Sequence, residues 1–350
     1  MKRYIIPVFI PHYGCTHQCI FCNQRKITGM DMPVSPEQVS KTITEHLSMI
    51  TEPRLVEVAF YGGSFTALKA EIQQALLFPA YAALQQGKIH AVRVSTRPDC
   101  IDFDIVKNLL NYGVSTIELG VQSLDDRVLF ASGRGHTARH VAEAVAVIRN
   151  LRVNCGIQLM PGLPGEDMYS LIATARQAVK LHPDFVRIYP AVVIADTRMA
   201  VMYREGLYRP LTLPQAVKQA GYLKLLFERS GIKVIRSGLQ ATPELADSRV
   251  VLAGPYHPSF GEMVDHFIFH LMVSCCLDRL NCRNGEIIIH HHFRDTSKIR
   301  GLKNSNIAKW YREYSLKAVK FINDGLKTGE LLIIHQDNRY FINPAMLTCV

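Results

Sequence analysis

No long apolar run occurs anywhere in the 350-residue chain. The opening Met1-Lys2-Arg3-Tyr4-Ile5-Ile6-Pro7 has neither the apolar region nor the small-residue cleavage site of a secretory leader. The longest apolar stretch, residues 267–277, is broken by His270 and is too short to cross a bilayer. Nine cysteines form an odd set with no framework spacing, which argues against a disulfide scaffold and for a reducing, cytoplasmic setting away from membranes. Arginine-rich tracts, internal repeats and low-complexity linkers are missing. So is a glycine-rich phosphate fingerprint after the first strand, which counts against a doubly wound nucleotide-binding sheet.

What is present is an ordinary globular composition, 48% apolar and 20% charged, in a chain long enough for one large domain or one domain plus a smaller one. The net charge of +10 is compatible with a polyanionic partner and equally with a diffuse solubility bias.

Strand-like and helix-like segments alternate through the first two-thirds of the chain. Apolar runs at 5–11, 55–60, 89–94, 115–121, 153–160 and 185–189 read as strands. Helical patterns lie between them at 35–50, 67–86, 102–111, 137–150 and 167–181, the first opened by Ser35-Pro36-Glu37-Gln38 as a capping box. Six strands separated by helices of this length call for a parallel sheet with right-handed crossovers, closed wholly or in part into a barrel. Beyond residue 200 the pattern loosens. Helices are expected at 212–230, at 259–280 behind a capping box on Ser259, and at 305–327. Strands are expected at 232–235 and 285–291, with a hairpin over 330–342 turning at Asp337-Asn338.

The densest chemistry is Cys15-Thr16-His17-Gln18-Cys19-Ile20-Phe21-Cys22, three thiols at i, i+4 and i+7 with no second pair nearby. Soft thiolates at this density suit an iron–sulfur cluster or zinc. Three cysteines on a 4Fe–4S cluster leave one iron open to a further ligand, whereas structural zinc wants four protein ligands. His12 or His17 could complete such a zinc knuckle.

Polar residues then recur at strand C-terminal ends, where barrels build their sites. Tyr61-Gly62-Gly63-Ser64-Phe65 ends the second strand, and its glycines permit close backbone approach to a ligand. Ser95 and Arg97 end the third strand. Glu118 and Gln122 end the fourth, in step on one face if that strand is regular. Arg134 precedes a helix start, and Gln158 and Met160, then Arg187 and Tyr189, end the fifth and sixth strands.

Taken in order, these segments resemble the radical S-adenosylmethionine (SAM) core of the Elongator subunit 3 family over residues 1–240. They are Cys15-x3-Cys19-x2-Cys22, Tyr61-Gly62-Gly63-Ser64-Phe65, Ser95-Thr96-Arg97-Pro98-Asp99, Ile117-Glu118-Leu119-Gly120-Val121-Gln122-Ser123, Arg134-Gly135-His136-Thr137, Met160-Pro161-Gly162-Leu163-Pro164 and Ile188-Tyr189-Pro190. A looser resemblance runs to oxygen-independent coproporphyrinogen oxidase. The resemblance implies an α/β fold: a partial (β/α)6 radical SAM barrel over residues 1–240, with a small α+β extension over 241–350. It implies a 4Fe–4S cluster on Cys15, Cys19 and Cys22 at the barrel mouth, with SAM near Gly62, Gly63, Ser64, Ser95, Gln122, Arg134 and Gln158. One-electron cleavage of SAM to a 5′-deoxyadenosyl radical would follow, fed by a reduced donor such as flavodoxin or ferredoxin. The expected substrate is tRNA or another RNA; a porphyrin-type small molecule and a non-catalytic, metal-containing RNA-binding role are the alternatives.

Two positions depart from the family pattern. Ser95 stands where a glutamate is frequent, and Gln158 where the coproporphyrinogen oxidases carry an aspartate. Residues 240–350 show no glycine-rich acetyl-CoA loop, so an acetyltransferase domain is not expected there. In this region Gly254-Pro255-Tyr256-His257-Pro258-Ser259-Phe260-Gly261-Glu262 reads as a segment closing the barrel over substrate or a rigid turn before its helix, and Lys298, Arg300 and Lys303 as phosphate contacts or a solvated face.

Overall fold

The computed structural model describes residues 3–10, 12, 14–15, 17–24, 26, 34–52 and 54–347. A seven-stranded, all-parallel sheet organises the larger part of it. Its strands are β1 (Arg3–Phe9), β2 (Leu55–Tyr61), β3 (Ala91–Thr96), β4 (Val114–Gln122), β5 (Asn154–Leu159), β6 (Phe185–Ile188) and, after a two-stranded excursion through β7 (Val193–Ile194), β8 (Lys233–Ser237). Their spatial order is β1-β2-β3-β4-β5-β6-β8, so each crossover returns to the adjacent position. The six expected strands are all present, and β8 joins as a seventh. Pro11, the expected end of the first strand, lies outside the described residues.

Side-chain bonds across the sheet show that it curls. Arg187 on β6 donates to the Tyr61 hydroxyl on β2, at 2.9 Å, although three strands lie between them. Such a bond requires a concave face on which both side chains point inwards, the geometry of an open half-barrel. Alternate residues in register line that face: Ser95 pairs with Glu118, Glu118 with Gly156 and Gly156 with Phe185, while one layer nearer the mouth Gly120 pairs with Gln158 and Gln158 with Arg187. Gly156 has a packing reason to be glycine, since a Cβ there would overlap the Phe185 ring. The opposite, apolar face carries Val58, Phe60, Val94, Ile117, Leu119, Ile157 and Ile188, all at or near zero exposure beneath the helices.

Strand β4 is not regular. Its register with β5 slips between Gly120 and Gln122, and Gln122 has φ +68°, so Glu118 and Gln122 do not stand in step.

A second sheet, ordered β11-β10-β12-β13, is built from β10 (Glu286–His291), β11 (Ala318–Asn323), β12 (Leu331–His335) and β13 (Asn338–Ile342). The helix expected over 305–327 stops at Tyr314. Ser315 takes a left-handed φ of +54°, and residues 318–323 instead pair in parallel with β10. That pairing partner lies some thirty residues upstream, beyond the reach of local periodicity. The helix Phe260–Arg279 is longer than the apolar stretch inside it. By length and composition alone its 20 residues could cross a membrane; here Val264, Ile268, Met272, Val273 and Leu277 are buried, packing it against the helix Leu213–Arg229 and the second sheet. The expected capping box on Ser259 does not form, because Ser259 has φ −99° and ψ 30° and its own N–H donates to His257 Nδ1. The boxes at Ser35 and Thr212 do form. Strand β9 (Val251–Ala253) pairs antiparallel with β7, and the turn at Gly254 that follows packs on Ala191 and Val192 beyond the end of β6. Lys298 is held by Asp295 and Asp265, at 3.2 and 3.7 Å, and Arg300 lies over the Phe321 ring, so neither is a bare phosphate contact.

Candidate metal centre

The cysteine loop leaves the C-terminal end of β1 and is anchored from three sides. Gln24 is the tightest anchor: its side-chain Oε1 accepts from the His12 N–H at 2.6 Å and from the Gly63 N–H at 2.7 Å, while its backbone N–H donates to His12 Nε2 at 2.7 Å. One amide thus ties the loop to the glycine turn after β2. Ile20 exchanges backbone bonds with Ser132 and Met199, and Ile20 and Phe21 pack with Val128, Leu163, Ala200 and Tyr208 in a small apolar cluster. Gly14 closes the third side. It has φ +76°, and a Cβ on it would run into the Ser64 carbonyl oxygen, a backbone atom that cannot rotate away. Gly14→Ala is therefore expected to cost about 1–3 kcal/mol through backbone strain, read as a lowered denaturation midpoint; an unchanged midpoint would mean that the loop does not rest on the turn.

The three thiols act on one another electrostatically. Burial, with Cys19 and Cys15 adding to it, pushes the Cys22 thiol up to about 12, and burial likewise raises Cys15. Cys19 is buried and its Sγ accepts from Arg134 Nη1 at 3.0 Å. Arg134, far from being solvated, is 6% exposed; its Nη2 donates to the Gly120 carbonyl, and its Nε is buried without a partner among the described residues. Arg97 is clamped to Asp99 through two bonds, at 3.0 and 2.9 Å, and donates to the Arg134 carbonyl at 2.5 Å. Burial and these two arginines hold His136 down to about 3, so it is neutral.

Among the described residues no three His, Cys, Asp or Glu side chains converge on a single ion. A mononuclear zinc knuckle needs such convergence, and His12, one candidate for its fourth ligand, is turned to Gln24. A cuboidal cluster instead takes one thiolate on each of three different irons and so needs a wider set. The three neighbouring soft donors and the Arg134 donor on Cys19 fit the cluster.

The other expected ligand residues surround this loop unevenly. Gly62 (φ +79°) and Gly63 (φ +56°) form the turn after β2. Ser64 is fully buried with its hydroxyl against Thr96, at 3.0 Å. Ser95, Gln158 and Gln122 lie on or at the end of the concave face, the two glutamines joined by a 3.2 Å bond from Gln158 Nε2. Sequence reasoning missed Gln24, whose position two residues after Cys22 carries no pattern. It also missed the charge network beneath the mouth: Glu57 and Glu118 share Arg93, and Arg187 pairs with Glu118 at 2.9 Å.

Beside the mouth, Glu166 Oε2 accepts from the Gly162 N–H at 2.6 Å, while Oε1 is buried without a partner among the described residues. Burial pushes this carboxyl up to about 8, against the pull of the Gly162 and Leu163 amides. An acid whose pKa rises on folding contributes stability that is complete below the unfolded value of 4.5 and is lost as pH climbs towards 8. Glu166→Gln is expected to flatten that decline, which is at most about 1.4 kcal/mol per pH unit. Urea midpoints of the two proteins between these limits check it, and parallel curves would refute it.

The sequence pattern of the radical SAM superfamily matches residues 9–178, and that of the radical SAM C-terminal domain matches residues 183–268. The tRNA uridine(34) acetyltransferase of Methanocaldococcus jannaschii is 24% identical over 312 residues, covering 77% of this chain and 56% of that protein. Elongator complex protein 3 of Saccharomyces cerevisiae is 30% identical over 175 residues, covering 44% and 31%. Among solved structures, archaeal Elp3 of Methanocaldococcus infernus with an N-terminal deletion superposes with a TM-score of 0.60 at 19% identity, over 96% of this chain and 75% of that one. The chain spans about half the length of the acetyltransferases it matches.

Proposed function

Because the chain belongs to the radical SAM superfamily and resembles the Elongator-3 core, we propose that it is a radical SAM enzyme acting on tRNA or another RNA. The superfamily uses a 4Fe–4S cluster and SAM, which when bound supply one-electron cleavage of SAM and abstraction of a hydrogen from the substrate. The observation that carries the reading is the Arg134 donor on Cys19, within a three-thiol loop bonded to the glycine turn.

In this reading Cys15, Cys19 and Cys22 are the iron ligands. Arg134 offsets thiolate charge at Cys19 and keeps Nε for an anionic group. Gly62, Gly63 and Ser64 offer backbone to the amino-acid end of SAM, and Ser95, Gln122 and Gln158 offer polar side chains to the rest. Ile20, Phe21, Leu163 and Tyr208 keep water from one flank of the loop. A small one-electron carrier such as a flavodoxin or ferredoxin belongs to the same proposal.

The RNA target rests on the related tRNA-modifying enzymes and on the +10 charge. Anaerobic reconstitution with iron and sulfide, followed by SAM and dithionite, is expected to release 5′-deoxyadenosine; its absence would refute the enzymatic reading. Nucleoside profiles of tRNA from deletion and parent cells test the substrate, and identical profiles would redirect it to a small molecule.

A further inference from the structure

At the concave end of β2 and just past β6, one guanidinium holds two phenols. Arg187 Nη2 donates to the Tyr61 hydroxyl and Nη1 to the Tyr189 hydroxyl, each at 2.9 Å. The guanidinium is itself fixed by Glu118 and lies over the Tyr61 ring, 5.3 Å from its centroid. Arginine can only donate, so each phenol oxygen spends an acceptor position on Arg187 and keeps its own proton to give. Among the described residues neither O–H meets an acceptor. The charges beneath are balanced, Arg93 and Arg187 against Glu57 and Glu118, so the pair presents donors rather than net charge. Burial raises Tyr61 above the ordinary phenol range, which keeps it protonated at neutral pH.

Two half-buried O–H donors, preset by one rigid fork and facing the inside of the half-barrel next to the Gly62–Gly63 turn, suit a carbonyl oxygen, which has two lone pairs to receive them. We infer that Tyr61 and Tyr189 form a paired hydrogen-bond site for a ring carbonyl of the substrate. On the RNA reading proposed above, on which this step rests, that carbonyl belongs to a uracil base turned out of its stack into the barrel.

The test uses the iron-loaded full chain and two fluorescent hairpin RNAs, one with a uridine at the first anticodon position and one with an abasic ribose in its place. Wild type is expected to prefer the uridine hairpin by about tenfold or more, the worth of two good hydrogen bonds. Tyr61→Phe and Tyr189→Phe keep the rings and each lose part of that preference, and the double variant loses it while binding the abasic hairpin as wild type does. A double variant that still prefers uridine, or a wild type that binds both hairpins alike, overturns the donor pair and leaves the RNA reading standing. Binding to neither hairpin overturns the RNA reading and the uracil site together. Melting curves and iron content of the variants identify any loss that comes from misfolding.

Discussion

Arg93→Met is expected to destabilise the protein by about 3–5 kcal/mol, the cost of stranding buried charge. The guanidinium is 1% exposed, binds both oxygens of Glu57 on β2 at 3.1 and 2.8 Å, and reaches from β3 to Glu118 on β4. Glu118 retains Arg187 after the change, but among the described residues Glu57 is left with only Arg3 at 3.9 Å, at the exposed edge of the network. Methionine keeps the apolar stem against Phe185, over whose ring Arg93 lies at 5.2 Å, so the loss reports the charge more than the packing. Adding Glu57→Gln should recover part of it. Denaturant midpoints measure both variants, and a loss under about 1 kcal/mol in Arg93→Met would mean that water reaches the carboxylates.

The largest effect on iron is expected at the cysteine loop. With Cys19→Ala the reconstituted protein should fall from about four irons per chain to less than about one, since two thiolates do not hold a cubane. Cys100 makes the sharper comparison. Its thiol lies close enough to interact electrostatically with Cys15 and is raised by burial in the same region, so on proximity alone it could be a fourth ligand. Cys100→Ala is expected to keep the wild-type iron content and its absorption. Loss of iron in that variant would convert the site to four thiolates with no open iron, and the proposed chemistry would fail with it.

Much of this arrangement was legible because the first two-thirds of the chain obeys local rules. Apolar β-branched runs match β1 to β6 to within two residues among the described positions, and the capping box at Ser35 and the helical patterns at 102–111 and 167–181 match the helices Pro36–Ser48, Phe103–Asn111 and Met168–Lys180. The cysteine spacing is local too. Legibility ended where a residue's state is decided at a distance. Residues 318–323 have enough helical character to mislead until β10 claims them as a strand. Arg134 reads as a ligand contact before a helix start, and only the tertiary fold brings it to Cys19, 115 positions away. Arg187 and Tyr61 meet across the lumen from 126 positions apart, a pairing that no window of sequence can propose.

Gln24 gives the mouth a property that neither the loop nor the turn has alone. A single carbonyl oxygen serves the His12 and Gly63 amides together, so ordering the loop and ordering the turn are linked equilibria. By reciprocity, whatever factor iron loading adds to the affinity of the turn for its ligand, that ligand must return to the retention of iron. The two occupancies would then rise and fall together, with one glutamine setting the strength of their coupling.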